Sequence, residues 1–232
     1  MSVTRRSLGS APLTVACVLR RGGLYLGSRE GPYFAKYVRI LRERVAEQLS
    51  LPHRFVCLSD VTVPCPHINL HEFWPGAWAK IELFRRGLFD GPVLYLDLAT
   101  AVLGELDELA RVALDGEFSA VRHREGGLDA AVMAWRVDCS FIHRRYAWLP
   151  EYWRYRHRKL GHRGFIEAEL GRAGVAWRTI DATLPGIVVD YAGLGAGGVV
   201  PAPARLCVFH GRPRPHELET EQFAHWDRTR PN

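Results

Sequence analysis

No apolar stretch of this 232-residue chain approaches the ~20 residues needed to cross a bilayer, because residues 12–19 stop at Arg20 and Arg21. That excludes an integral membrane helix. Arg5-Arg6 precede the same run, but it is too short for a twin-arginine export signal and lacks a small-residue cleavage site. Cysteine is sparse and unpatterned: Cys17, Cys57, Cys65, Cys139 and Cys207 show no Cys-x-x-Cys and no zinc-ligand spacing. An odd number of thiols, three of them inside apolar runs, indicates buried free cysteines in a reducing cytoplasm. Lysine is scarcer still, with three of the 31 basic residues, an arginine excess that genome composition alone can produce. There is no internal repeat, low-complexity tract or linker. With 47% hydrophobic and 24% charged residues the chain has a globular composition, and we expect one domain over 1–232 with tails at 1–12 and 217–232.

A formal charge of +6 and a pI near 9.3 favour an anionic ligand, whether nucleotide, nucleic acid or acidic surface. Leu13–Leu19 (LTVACVL) is a buried first strand, and Arg21-Gly22-Gly23 a turn after it. Residues 33–49 carry Val38, Leu41, Val45 and Leu49 at helical spacing until Pro52, and 54–58 form a second strand. Such a strand, helix, strand opening points to an α/β nucleotide-binding sheet. Residues 77–88 predict a helix with Trp78, Ile81, Leu83 and Phe84 largely inward, and 92–96 an apolar strand abutting Asp97. A polar residue at the carboxyl end of a buried parallel strand is where open α/β sheets place ligands. Further on, the patterns predict a helix at 107–114, strands at 118–122 and 131–136, a helix at 164–171, strands at 175–180 and 186–189, a mobile loop at 191–204 and a last strand at 206–209. From Tyr146 the chain turns basic and aromatic, through Trp148, Tyr152, Trp153, Tyr155 and Arg154, Arg156, Arg158 and Lys159. Stacking plus positive charge suits a flat acceptor or single-stranded nucleic acid; we favour the acceptor, since no nucleic-acid module is present.

Trp78-Ala79-Lys80-Ile81-Glu82-Leu83-Phe84, then Val93-Leu94-Tyr95-Leu96-Asp97, and far later Val208-Phe209-His210-Gly211 with Pro213 and Pro215 stand in a telling order. Together they resemble bacterial GT-A glycosyltransferases related to glycosyltransferase family 8, over nearly the whole chain. The resemblance implies a GT-A fold, a twisted and mostly parallel sheet between helices. It also implies a nucleotide-sugar donor, most simply uridine-linked, a small-molecule or peptide acceptor, and retention at the anomeric carbon. It places the base and ribose against the backbone of Cys17, Val18 and Leu19, and the diphosphate near Lys80, Asp97, His210 and Gly211. Asp97 and His210 become the expected ligands of Mn2+ or Mg2+.

The family's Asp-x-Asp is Asp97-Leu98-Ala99 here, so one carboxylate is absent, and its Gly-Asp-Gln aligns with Gly161-His162-Arg163. These exchanges make the site more cationic and suggest reduced metal dependence, with His162, Arg163 and His210 neutralising phosphate. Asp129 replaces the first residue of an Asn-Ser-Ser and is the one carboxylate available as a base or sugar ligand. The competing expectation is a nucleotide-binding protein without catalysis; nucleic-acid binding is a weaker one. The whole reading requires the tip of the Val93–Leu96 strand and the Phe209-His210-Gly211 corner to meet.

Overall fold

The computed structural model of the chain describes residues 11–22, 34–194, 198–218 and 220–223. The expected outer tails at 1–10 and 224–232, Gly23 of the first turn, residue 33 at the start of the first helix and residues 195–197 of the loop lie outside them.

Leu13–Leu19 (β1) is buried at all seven positions, because it is an interior strand with a helical layer on each face. Helix α1 (Ala35–Gln48) follows, then β2 (His53–Ser59) and a short unanticipated strand β3 (His67–Asn69). The segment expected to be a helix over 77–88 is a 3-10 helix, Gly76–Phe84, ended where Arg85 turns extended. Its buried face is no stripe, since Ala79 through Phe84 are all enclosed between the sheet and later helices. The tight coil sends two buried ionic side chains to partners outside it: Lys80 reaches Asp97, and Glu82 accepts from the backbone amides of His71 (2.8 Å) and Glu72 (3.0 Å).

The chain continues through β4 (Val93–Leu96), β5 (Thr100–Val102), α2 (Asp107–Leu114), β6 (Phe118–Arg122) and β7 (Leu128–Trp135). Helices α3 (Ser140–Trp148), α4 (Pro150–Arg156) and α5 (Gly161–Arg172) occupy the basic, aromatic stretch. They are followed by β8 (Trp177–Thr179), α6 (Ile180–Thr183), β9 (Val188–Asp190) and β10 (Leu206–Val208).

Seven strands form one sheet in the order β3-β2-β1-β4-β7-β6-β8, in which only β7 runs against its neighbours. The mostly parallel α/β expectation therefore holds. Alternation along β1 divides the interior: Leu13, Val15, Cys17 and Leu19 face α1 and α2, while Ala16 and Val18 face the 3-10 helix, α3 and α5. A second, small sheet, β5-β10-β9, covers one end. Part of the expected carboxyl-terminal tail is packed chain: Phe223 is 1% exposed and meets Phe209, centroid to centroid, at 5.4 Å.

Candidate active site

Strand order reverses between β1 and β4, with β2 and β3 built outward on one side and β7, β6 and β8 on the other. A crevice at the carboxyl ends of the strands beside such a switch point is where open α/β sheets bind ligands. β1 is hydrogen-bonded to β4 only through Ala16, whereas its pairing with β2 runs on to Leu19. Cys17, Val18 and Leu19 thus overhang the crevice with one edge outside the β4 ladder. Their side chains are buried in the two cores, so only their backbone can meet a ligand. The turn beyond them is tied down by Asp60, which follows β2. It accepts from the amides of Arg21 (2.8 Å) and Gly22 (2.9 Å) and pairs with Arg20.

Asp97 follows β4, and its amide donates to Ala131 O at 2.9 Å. The required meeting of the two chain segments is present. β5 pairs antiparallel with β10, and the amide of Phe209 donates to Ala99 O at 3.0 Å, which sets the His210 corner beside the β4 tip. Phe209 is clamped by Tyr191, stacked at 4.6 Å, and Gly211 takes φ +88°, a left-handed turn that glycine adopts without a Cβ clash.

Within this corner the charges sort into pairs. Lys80 Nζ, on a residue 8% exposed, donates to the Asp97 carboxylate and to Ala130 O at 3.3 Å. Asp129, 6% exposed, accepts from the amide of Ala131 at 2.9 Å and lies 2.9 Å from His210 Nε2. Burial pushes the Asp129 carboxyl up, but the His210 hydrogen bond and charge together with the Ala131 amide outweigh it and hold the pKa below the usual value. The same hydrogen bond raises the His210 imidazole. His123, at the end of β6, stands with its ring centroid 5.4 Å from that of His210, and its pKa is lowered by burial and by the Arg163 cation.

Ligand atoms of His123, Asp129 and His210 all lie within 4.8 Å of one another. Two imidazoles and one carboxylate, leaving positions open, suit a first-row transition ion such as Mn2+ and suit Mg2+ poorly, since magnesium prefers oxygen ligands. Of the expected pair, His210 belongs to this cluster, while Asp97 is paired with Lys80; His123, not singled out from the sequence, is the third member of the cluster. Its only signal was a histidine among arginines, Arg122-His123-Arg124, with no spacing to a second ligand.

His162 and Arg163 are the other two residues expected at the phosphates. His162 is within electrostatic reach of Lys80 and Asp129, but burial and the Lys80 charge hold its pKa well below the usual histidine value, so it is a neutral ring. It packs edge-on to Trp78 at 6.3 Å, with no partner for Nε2 among the described residues. Arg163 donates to Gly126 O at 3.2 Å and pairs with Glu125 at 3.6 Å, so its guanidinium braces the turn after His123. His210, Asp129, Val208 and Asp190 are among the residues that line a cavity of about 120 Å3 alongside.

The arrangement, a mostly parallel central sheet flanked by helices, is that of the GT-A fold. The galactosyltransferase LgtC, solved with donor and acceptor sugar analogues, is similar to the chain with a TM-score of 0.62 and 13% identity, over 92% of this chain and 94% of that one. An active-site mutant of LgtC gives 0.61 and 11%, over 93% and 94%. The glycosyltransferase GlyE of Streptococcus pneumoniae TIGR4 gives 0.59 and 11%, over 94% of this chain and 60% of GlyE. No family model and no curated protein matches the sequence. Among the described residues no helix is long and apolar enough to cross a membrane.

Proposed function

We propose that the chain is a glycosyltransferase that moves a sugar from a nucleotide-diphosphate donor, uridine-linked, to a small-molecule or peptide acceptor. The observation that carries this is the gathering of Lys80, Asp97, Asp129, His123 and His210 at the switch point of a GT-A sheet. The nucleoside lies on the overhanging backbone of Cys17, Val18 and Leu19, with the diphosphate between the β4 tip and the Gly211 corner.

As the glycosidic bond breaks, negative charge grows on the leaving phosphate oxygen, and N–H donors already fixed in place stabilise it without reorganisation. Lys80 and His210 hold such donors at the two walls. A divalent transition ion held by His123, Asp129 and His210 would supply Lewis-acid neutralisation of the diphosphate. With Arg163 paired to Glu125 and His162 enclosed against Trp78, metal use is better supported than independence. Inversion needs a carboxylate base with a pKa near the working pH. Asp129 is already engaged by His210, and retention is the outcome implied by the resemblance to family 8.

One observation favours a second reading, a nucleotide-binding protein without turnover. Asp97 is neutralised by Lys80, and Ala99 is packed in the core where a second carboxylate is absent. Sugar release from uridine-linked donors, followed with Mn2+ and with EDTA, separates the two. Release that EDTA suppresses is expected; no release from any common nucleotide sugar in either condition, alongside measurable binding of uridine diphosphate, overturns transfer and leaves the binding reading.

A further inference from the structure

The formal excess of the whole chain falls in one stretch of its sequence. Arg145, Arg154 and Arg163 there are paired with Glu169, Glu151 and Glu125, and the other basic side chains carry the surface charge. Residues 144–163 carry Arg144, Arg145, Arg154, Arg156, Arg158, Lys159 and Arg163 against the single acid Glu151, a net +6, which leaves the rest of the sequence formally neutral. The same stretch is unusually apolar at its surface. Of the eleven exposed large hydrophobic side chains among the described residues, five fall within 148–160: Trp148 (69%), Leu149 (44%), Tyr152 (50%), Tyr155 (70%) and Leu160 (50%).

Helix α4 buries no residue of its own, and the segment is held from beneath by Trp153, whose Nε1 donates to Arg145 O at 3.0 Å. Single exposed apolar residues are ordinary on a protein surface; a cluster of them among arginines is not. We infer that the corner formed by α3, α4 and the turn into α5 is a docking surface for an anionic phospholipid bilayer.

Charge complementarity selects the partner's sign, and the side-chain types select its chemistry. Tryptophan and tyrosine prefer the headgroup level, leucine enters the acyl boundary, and arginine and lysine meet lipid phosphates. Single-stranded nucleic acid would use bare ring faces as stacking platforms and has no use for Leu149 and Leu160. Here Arg158 lies over the Tyr155 ring at 4.9 Å and Arg145 over Trp148 at 5.8 Å. The surface also borders the candidate active site. A cavity of about 340 Å3 is lined by Trp78, Arg154, Tyr155 and Arg158, and Trp78 is the ring against which His162 packs. An acceptor held in such a bilayer would arrive on this side, although docking itself does not depend on transfer activity.

The test is co-sedimentation of the full chain with vesicles of phosphatidylcholine alone, and with about one-third phosphatidylglycerol added, at low and high salt. Association with the anionic vesicles only, weakened by salt, is expected. A basic side chain near an anionic leaflet multiplies affinity by about five, so the double charge reversal Arg156→Glu with Lys159→Glu weakens binding by about a hundredfold or more. Trp148→Ala with Tyr155→Ala weakens it by about tenfold or more. All four positions are exposed, so circular dichroism and thermal unfolding remain those of the parent. Absence of association with anionic vesicles at low salt overturns the inference, as does association unaffected by both double variants. Tighter binding to a single-stranded oligonucleotide, lost on the same charge reversals, would assign the surface to nucleic acid instead.

Discussion

Replacing Lys80 by methionine keeps the length of the side chain and removes its charge, which separates the two tasks the structure gives it. The ammonium group is the partner of Asp97 and also donates to Ala130 O, and the two ionic side chains are 11% and 19% exposed. Breaking a buried ion pair by deleting one member costs about 3–5 kcal/mol, because the surviving charge is left uncompensated. Asp97 keeps some contact with water, so the lower end applies, about 3 kcal/mol. For a chain of this length that lowers Tm by roughly 6–12 °C. Removing the stranded charge as well, in Lys80→Met with Asp97→Asn, should recover most of the loss.

Nucleotide affinity should behave differently. A hydrogen bond to a charged phosphate contributes about 1.5–3 kcal/mol, so uridine diphosphate should bind roughly ten- to hundredfold more weakly to the single variant and no better to the double one. Thermal unfolding and isothermal titration on the three proteins check both halves. Affinity within about twofold of the parent in Lys80→Met, far below the loss for a charge-assisted bond, would refute the placement of the diphosphate at this lysine.

The Asp129–His210 pair should leave a signature in the pH dependence of stability. A histidine whose pKa is raised by folding stabilises fully below its unfolded value of 6.5 and loses that contribution as pH rises through the folded value. An aspartate whose pKa is lowered stabilises above its unfolded value of 3.8 and loses it as pH falls through the folded one. The Tm gap between the parent and His210→Gln in EDTA should therefore be widest between 3.8 and 6.5 and narrow in alkali; a gap that widens above neutrality would contradict the pairing. Ala99→Asp introduces a carboxylate at a position 6% exposed and packed in the core, and should destabilise by about 3 kcal/mol. An unchanged melting curve would contradict the enclosure of this side chain. His162→Gln removes a neutral ring and no phosphate cation, so affinity for uridine diphosphate should stay within about threefold; a loss of tenfold or more would return a charge to that residue.

Composition and pattern specified much of the frame. β1, β4 and β6 are apolar runs that can be stable only as interior strands, and their bounds agree with expectation to within a residue. β3 and β5 were illegible because three residues carry no period, and β5 exists through a partner, β10, from the far end of the chain. α3 was missed because a helix burying only Ile142 and Tyr146 has almost no stripe to recognise. The 3-10 form of Gly76–Phe84 was read as a longer helix, since enclosure on all sides erases the alternation that would tell the two apart.

The candidate site divides in the same way. The sequence by itself settled the α/β class, the acid at the strand tip, and the thiols as free cysteines, which all five are. Which charges neutralise one another was decided by tertiary structure alone. Lys80 takes Asp97, His210 takes Asp129, Arg163 is drawn off to Glu125, and His123 arrives from the end of β6 to stand within 4.8 Å of the ligand atoms of Asp129 and His210. Electrostatic pairing depends on separations of a few ångströms between side chains from different strands, and on how much water burial has removed. Neither quantity exists until the sheet has closed and the Phe209 corner has folded over the end of β4.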